Sequence, residues 1–156
     1  MEQTLAALEA VVLVETLRTS RWLYAAFSAA HIAAIGLLFG ATVPLALRFL
    51  GLWSGIPREA VVRVLVPMAT LGFVLAILSG LLLFSVRARE YADVGVFQVK
   101  LLLIAAGVLS AVAAHTNHGL WLRAASRRSL SVHALVSLVC WSGALICGRL
   151  IAFADT

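Results

Sequence analysis

Four long runs of uncharged, mostly apolar residues divide the chain. Counted between the charges that flank them, they contain 26, 23, 22 and 20 residues, and the flanking pairs are Arg21 and Arg48, Arg63 and Arg87, Lys100 and Arg123, and Arg128 and Arg149. A helix that crosses a bilayer needs about 20 apolar residues. Each run is long enough for one span and too short for two. The pattern therefore predicts four transmembrane helices, at about 22–48, 61–86, 97–122 and 130–152.

The segment before the first run has a different pattern. In residues 2–19, Leu5, Leu8 and Leu13 can share one face of a helix, while Glu2 and Glu9 fall on the opposite face. This pattern predicts an amphipathic helix that lies at the membrane interface. The segment also lacks the basic start of a cleavable signal peptide. We expect residues 1–156 to form one all-α domain, an integral membrane four-helix bundle with an N-terminal interfacial amphipathic helix.

Composition supports a lipid environment. Hydrophobic residues make up 63% of the chain and charged residues 12%, and the mean hydropathy is +1.05. Soluble domains carry about 25% charged residues, so this chain has too few to cover its own surface. The net charge is +5, but the basic residues lie at the ends of the apolar runs, where they meet lipid headgroups. The expected partner is the lipid bilayer of a bacterial inner membrane, in an undetermined orientation, and not nucleic acid.

Several function classes lack their motifs. The spans contain no carboxylate in their interior, whereas ion-coupled transporters usually carry such groups there. The chain has no HExxH, GxSxG or glycine-rich phosphate loop. The sequence thus assigns no catalytic residue and leaves open whether the protein is an enzyme.

The candidate chemistry resides in four histidines: His31, His115, His118 and His133. An imidazole in the hydrocarbon region needs a hydrogen-bonding partner, so the simplest interpretation is a bond between helices to a serine or a carbonyl. The sharper hypothesis is axial ligation of haem b by two histidines from different helices. The function would then be electron transfer, with quinone or a membrane redox protein as the partner.

Depth in the membrane does not select one pair of histidines. At 1.5 Å per residue, His115 and His133 agree in depth to about 3 Å, whereas His31 and His115 differ by about 10 Å. The assignment of the two haem ligands therefore stays open. His31 and His115 are the first candidates, and His133 is the substitute ligand. Arg149 is one of the basic residues at span ends that could neutralise the haem propionates. Trp141 is deep in the fourth span and could pack against the macrocycle.

Two other functions are compatible with the sequence. His115 and His118 lie at i and i+3 on one helix, and His133 could complete a three-histidine site for copper. Alternatively, the chain is a cofactor-free structural or accessory subunit. In that case the Gly36-xxx-Gly40 surface would pack on another membrane protein. A homo-oligomer or a larger complex is expected because so small a bundle buries little surface.

The sequence also resembles a family of small bacterial four-helix membrane proteins of unknown function. The similarity covers nearly the whole chain and runs through Trp22-Leu23-Tyr24, His31, Leu47 to Gly51, Pro67, Gly72-Phe73, Ser79 to Phe84, Phe97, Lys100, His115, Ser137-Leu138, Trp141 and Gly148 to Phe153. The resemblance implies that His31 and His115 match histidines that recur in that family, whereas His118 and His133 occupy positions that vary in it. It favours the His31/His115 pair and implies no reaction. In layout the chain is more distantly similar to membrane b-type cytochromes and copper-resistance membrane domains.

Overall fold

Helices account for nearly all of the residues that the structure describes. This computed structural model describes residues 12–119, 121–122, 125–151 and 153. Within these ranges the chain forms six helices and no strand: α1 (Val12–Thr19), α2 (Arg21–Leu50), α3 (Arg58–Val86), α4 (Ala88–Ala92), α5 (Gly95–His118) and α6 (Arg127–Ile151). The four longest, α2, α3, α5 and α6, are each long and apolar enough to cross a membrane. The predicted all-α class with four candidate spans is confirmed.

Local signals explain where the long helices begin and end. The Ser20 hydroxyl accepts a bond from the Leu23 N–H at the start of α2. Gly51 ends that helix in a left-handed conformation with φ of 112°, which glycine adopts without steric cost. Helix α5 ends at His118, short of the expected residue 122, because the chain turns through Gly119 and Leu122, both with positive φ.

The long helices pack in the order α3, α2, α6, α5, and the two outer helices stay apart. Cα atoms approach within 8 Å between α3 and α2, between α2 and α6, and between α6 and α5, but not between α3 and α5. Side chains fill the space between α3 and α5; for example, the rings of Phe84 and Phe97 stack with centroids 5.1 Å apart. We call this space the α3–α5 seam.

Close contact between α2 and α3 depends on a glycine. A Cβ atom at Gly72 would lie 2.5 Å from the backbone nitrogen of Leu38 and 3.0 Å from the carbonyl oxygen of Ala34. Only a residue without a side chain fits there. Gly72 lies near the middle of α3 and Leu38 near the middle of α2, so this contact holds the two helices together and sets which of their side chains face each other.

Helix α1 packs against one end of the bundle, which we call end A. Val14 and Leu17 are buried against Val86, with Phe27 and Leu82 beside them. The apolar face of the described part of α1 therefore contacts protein. Residues 2–11 of the predicted interfacial helix lie outside the described residues.

The opposite end of the bundle, end B, holds the other buried cluster. Val62 is fully buried there, together with Phe49 of α2 and Leu130 of α6. Leu122 and Ala125, in the connection between α5 and α6, also belong to this cluster. The loop at end B thus packs onto α2, α3 and α6, which holds the C-terminal half of α5 in place.

Candidate functional site

His31 lies at the junction of α2 and α3. Its Nδ1 atom is 2.9 Å from the Ser79 hydroxyl, and a Cβ atom at Gly80 would lie only 3.0 Å from its Cε1 atom. The consecutive Ser79 and Gly80 therefore provide a hydrogen-bonding partner and the space for the ring. The antiparallel packing of α2 and α3 brings the early part of one helix beside the late part of the other.

The hydrogen bonds around Ser79 assign the tautomer of His31. The Ser79 hydroxyl donates to the Leu75 carbonyl oxygen at 2.6 Å. A hydroxyl has one proton, and the carbonyl can only accept. The Nδ1 atom of His31 must therefore donate to the Ser79 oxygen. In the neutral ring the Nε2 atom then carries the lone pair, which is the arrangement of a histidine that binds a metal through Nε2.

Lys100 is close to His31 on the α5 side of the seam. It is the sixth residue of α5, and its charge is near enough to act on the His31 ring. Its Nζ atom would lie 3.5 Å from a Cβ atom at Gly148 of α6, and the Cys147 thiol is also nearby. Lys100 thus lies against α6 at Gly148, and its charge acts on the His31 ring across the bundle.

Aromatic side chains pack against α3 on either side of Ser79 along the helix. The Trp141 ring contacts Gly107 of α5 and meets the Phe73 ring edge to face, with centroids 5.9 Å apart. Trp141 therefore packs between α5 and α3, toward the middle of the bundle. The stack of Phe84 and Phe97 lies nearer end A.

His115 and His133 line a different site, a cavity of about 70 Å³ between α2, α5 and α6. The Ser110 hydroxyl is 2.8 Å from the His133 Nδ1 atom. The Nδ1 atom of His115 is buried and has no hydrogen-bonding partner among the described residues. The cavity wall consists of Thr42, Leu45, Ala46, Phe49, Ser110, Ala111, Ala114, His115, Leu122, His133, Ala134 and Ser137.

The structure does not bring His31 and His115 together. His31 is eleven residues from Thr42, the first α2 residue on the cavity wall, which is about 16 Å of helix. His115 and His133, in contrast, share the cavity. The sequence pattern could not separate these cases, because depth estimates from span midpoints leave out how far one helix slides along another.

His118 lies outside both groups. Its Nε2 atom is 3.0 Å from the Ser129 hydroxyl, and it is not among the cavity residues. Within the described parts of the chain, no group of three or more histidine, cysteine, aspartate or glutamate side chains is arranged to hold a metal ion. The three histidines of the copper hypothesis are thus not assembled in this arrangement.

Arg149 lies at end A, in the last turn of α6. Its guanidinium stacks over the Phe153 ring at 4.9 Å from the centroid. This contact holds Arg149 at the end of the helix, on the same side of the bundle as Lys100.

The sequence analysis gave bonds between helices to serines as the simplest interpretation of the histidines, but it did not identify which serines are the partners. Three of the four histidines meet a serine on a neighbouring helix, through Ser79, Ser110 and Ser129. Each serine is a polar residue in or next to an apolar helix, which was the available signal. Its partner is 48, 23 or 11 residues away, so only the packing of the helices reveals the pairs.

Comparisons of the chain with protein-family models, with curated proteins and with solved structures find no match.

Proposed function

We propose that this protein binds haem b within the membrane through His31 and takes part in electron transfer. The observation that carries the proposal is the hydrogen-bond chain from His31 Nδ1 to Ser79 and on to the Leu75 carbonyl. Histidines that ligate a metal almost always donate their other ring N–H to a fixed acceptor. Helix bundles commonly hold cofactors between facing side chains.

Charge near His31 supports a ligand with acidic groups. Lys100 is half-buried close to His31, and no salt bridge to Lys100 is found among the described residues. An ammonium group away from water is costly unless an anion pairs with it. The two haem propionates are such anions. Lys100 would bind one of them, and Arg149 at the same end of the bundle is the next candidate.

A haem ring beside His31 would lie in the α3–α5 seam, which separates the backbones of the two outer helices. Side chains fill this seam, so binding would require aromatic rings such as those of Phe84 and Phe97 to move aside. Trp141 and Phe73 lie on one side of this region along α3 and Phe84 lies on the other. When bound, the haem iron supplies one-electron redox chemistry. The surrounding side chains orient the ring, exclude water and neutralise its carboxylates.

The proposal assigns one axial ligand. His115 and His133 were the candidates for the second position, and both line the cavity at about 16 Å of helix from His31. We therefore place them outside the haem site. The electron partner would be a membrane-soluble quinone or a membrane redox protein, in a bacterial inner membrane.

An absorption spectrum of the protein purified in mild detergent tests this proposal. Expression with ample haem should give a Soret band that shifts on reduction with dithionite. The variant His31→Ala should lose it. His118→Ala is the matched control, because His118 also pairs with a serine, and it should keep the band. Haem retention by the His31 variant, or a protein with no visible absorption, would refute the assignment.

A second candidate function is that of a cofactor-free subunit of a membrane complex. Gly36 and Gly40 favour it, since a Cβ atom at either position would have no neighbour within 4 Å. The described part of the bundle therefore does not use this small-residue face of α2. If the face joins copies of the chain or another subunit, the double variant Gly36→Ile/Gly40→Ile should lower the mass of the native complex in detergent. Haem content separates this function from the first.

A further inference from the structure

End B of the bundle carries an excess of positive charge. Its described residues include one carboxylate, that of Glu59, and five arginines: Arg48, Arg58, Arg63, Arg127 and Arg128. Glu59 pairs with Arg63 at 2.7 Å, and the Arg63 guanidinium also stacks over the Trp121 ring. The charge of Arg63 is therefore balanced within the protein. Among the described side chains, no carboxylate forms a salt bridge with Arg48, Arg127 or Arg128.

Two of these arginines contact the turn that joins α2 to α3. The Arg48 guanidinium donates to the Ile56 carbonyl oxygen at 2.8 Å through Nη2 and at 3.0 Å through Nε. Its Nη2 atom also lies 3.4 Å from the Ser54 carbonyl oxygen. Arg127, the first residue of α6, approaches the same turn, and its Nη2 atom would lie 3.1 Å from a Cβ atom at Gly51. The packing of α6 on α2 thus places two guanidinium groups on one turn.

Both guanidinium groups keep donors and charge for a ligand. An arginine has five N–H donors, and the bonds to the turn involve only Nε and Nη2 of Arg48. The Arg127 side chain, which is exposed, donates to no described residue. Arg127 meets the C-terminus of α2, which carries about half a negative charge, so two full positive charges exceed it by about 1.5. One phosphodiester, with one negative charge and two free oxygens, would balance most of this excess, and arginine binds phosphate oxygens in pairs.

Exposed apolar side chains on the same turn indicate that the phosphate belongs to a lipid. Leu52, Trp53 and Ile56 are each about half exposed. Helices α2 and α3 are long and apolar enough to cross a membrane, so the turn between them would lie at a membrane surface, where tryptophan is enriched. A free phosphate ion would use the arginines and leave these side chains uncovered. A phospholipid would contact both.

We infer that Arg48, Arg127 and the turn at residues 51–56 form a binding site for the headgroup of an anionic phospholipid such as phosphatidylglycerol. The arginines bind the phosphate oxygens, and Trp53 and Leu52 contact the glycerol and the upper acyl chains. A zwitterionic lipid is disfavoured, because it brings a cation to a surface that is already positive. The site lies at the opposite end of the bundle from His31, so it does not depend on the haem proposal.

Native mass spectrometry of the full chain, titrated in mild detergent with phosphatidylglycerol or phosphatidylcholine, tests the site. Phosphatidylglycerol should bind more tightly. Arg127→Gln should weaken its binding by about 5-fold, the contribution of one basic residue at an anionic surface, and leave phosphatidylcholine binding unchanged. Arg63→Gln is the matched control, because it removes the same charge from the same end, but that charge is already paired with Glu59. It should keep the native affinity.

Equal affinity for the two lipids would overturn the inference. An equal loss in Arg63→Gln and Arg127→Gln would overturn it as well, because the attraction would then come from the general charge of end B. Displacement of phosphatidylglycerol by millimolar inorganic phosphate would show that the site takes a free anion and not a lipid.

A second measurement leaves the arginines unchanged. Phosphatidylglycerol with brominated acyl chains quenches tryptophan fluorescence at short range. In nanodiscs of phosphatidylcholine, a small fraction of this lipid should quench the native protein more than brominated phosphatidylcholine does, and Trp53→Phe should lose the difference. The same difference in Trp53→Phe would place the lipid elsewhere and refute the site.

Discussion

Ser79→Ala is the substitution that tests the role of His31 most selectively. It keeps the imidazole and removes the hydroxyl that bonds its Nδ1 atom, while the backbone of Ala76 remains as a hydrogen-bonding partner of the ring. The tautomer preference alone has a small effect: if half of the rings carry the proton on Nε2, the affinity falls by about twofold. The larger effect is the lost orientation, since removal of such a partner typically lowers metal affinity by about 10- to 100-fold.

A buried donor left without a partner costs about 1–3 kcal/mol, but this cost falls on the apoprotein and the haem-bound protein alike, so it lowers the stability of the fold rather than the haem affinity. A 10- to 100-fold loss of affinity corresponds to about 1.4–2.8 kcal/mol. We therefore expect Ser79→Ala to weaken haem binding by at least about 10-fold without abolishing it.

The assay is a haem titration of the apoprotein in detergent, followed at the Soret band. Ser85→Ala is the matched control, because Ser85 lies on the same helix and makes the same kind of bond to a carbonyl, that of Leu81. This variant should bind haem as the native protein does. If Ser79→Ala keeps native affinity while His31→Ala loses haem, the hydrogen-bond chain does not position the ligand. If both variants keep haem, His31 is not the ligand.

Three further predictions follow from the packing. Gly80→Ala should weaken haem binding because the added Cβ atom would displace the His31 ring. Gly36→Ala is its control and should not weaken binding, since an added Cβ atom there would have no neighbour within 4 Å. The haem titration measures both variants. Gly72→Ala should destabilise the bundle by about 1–3 kcal/mol in a denaturant titration, since its Cβ atom would meet the α2 backbone, and native stability would contradict the close approach. Leu17→Ala should release α1 to proteolysis because Leu17 is buried; equal protection in this variant and in the control Glu15→Ala would refute the docking of α1.

The spans were predictable because each depends on a property of contiguous sequence. A membrane helix must bury about 20 apolar residues, and charges mark where each run ends. In the structure the first span ends later than predicted, at Leu50, and the second begins earlier, at Arg58. Helix α5 ends earlier than predicted, at His118. Those limits depend on turns such as Gly51 and Gly119, which hydropathy does not describe.

The candidate site was only partly predictable. The histidines stand out in apolar runs, so residue type alone identified His31 and His115. Their partners and their separation depend on how far the helices slide along each other, which the close approach at Gly72 helps to set. Lys100 was assigned to a span end, but it is the sixth residue of α5 and lies near His31. Its long side chain allows either position, and only the packing distinguishes them.

The absorption spectrum of the purified protein, oxidised and then reduced, tests the central claim most directly. The account predicts a b-type haem spectrum in the native protein and in His118→Ala, and its loss in His31→Ala. A native protein that is colourless after expression with ample haem would contradict the account, and so would a His31→Ala variant that keeps the native spectrum.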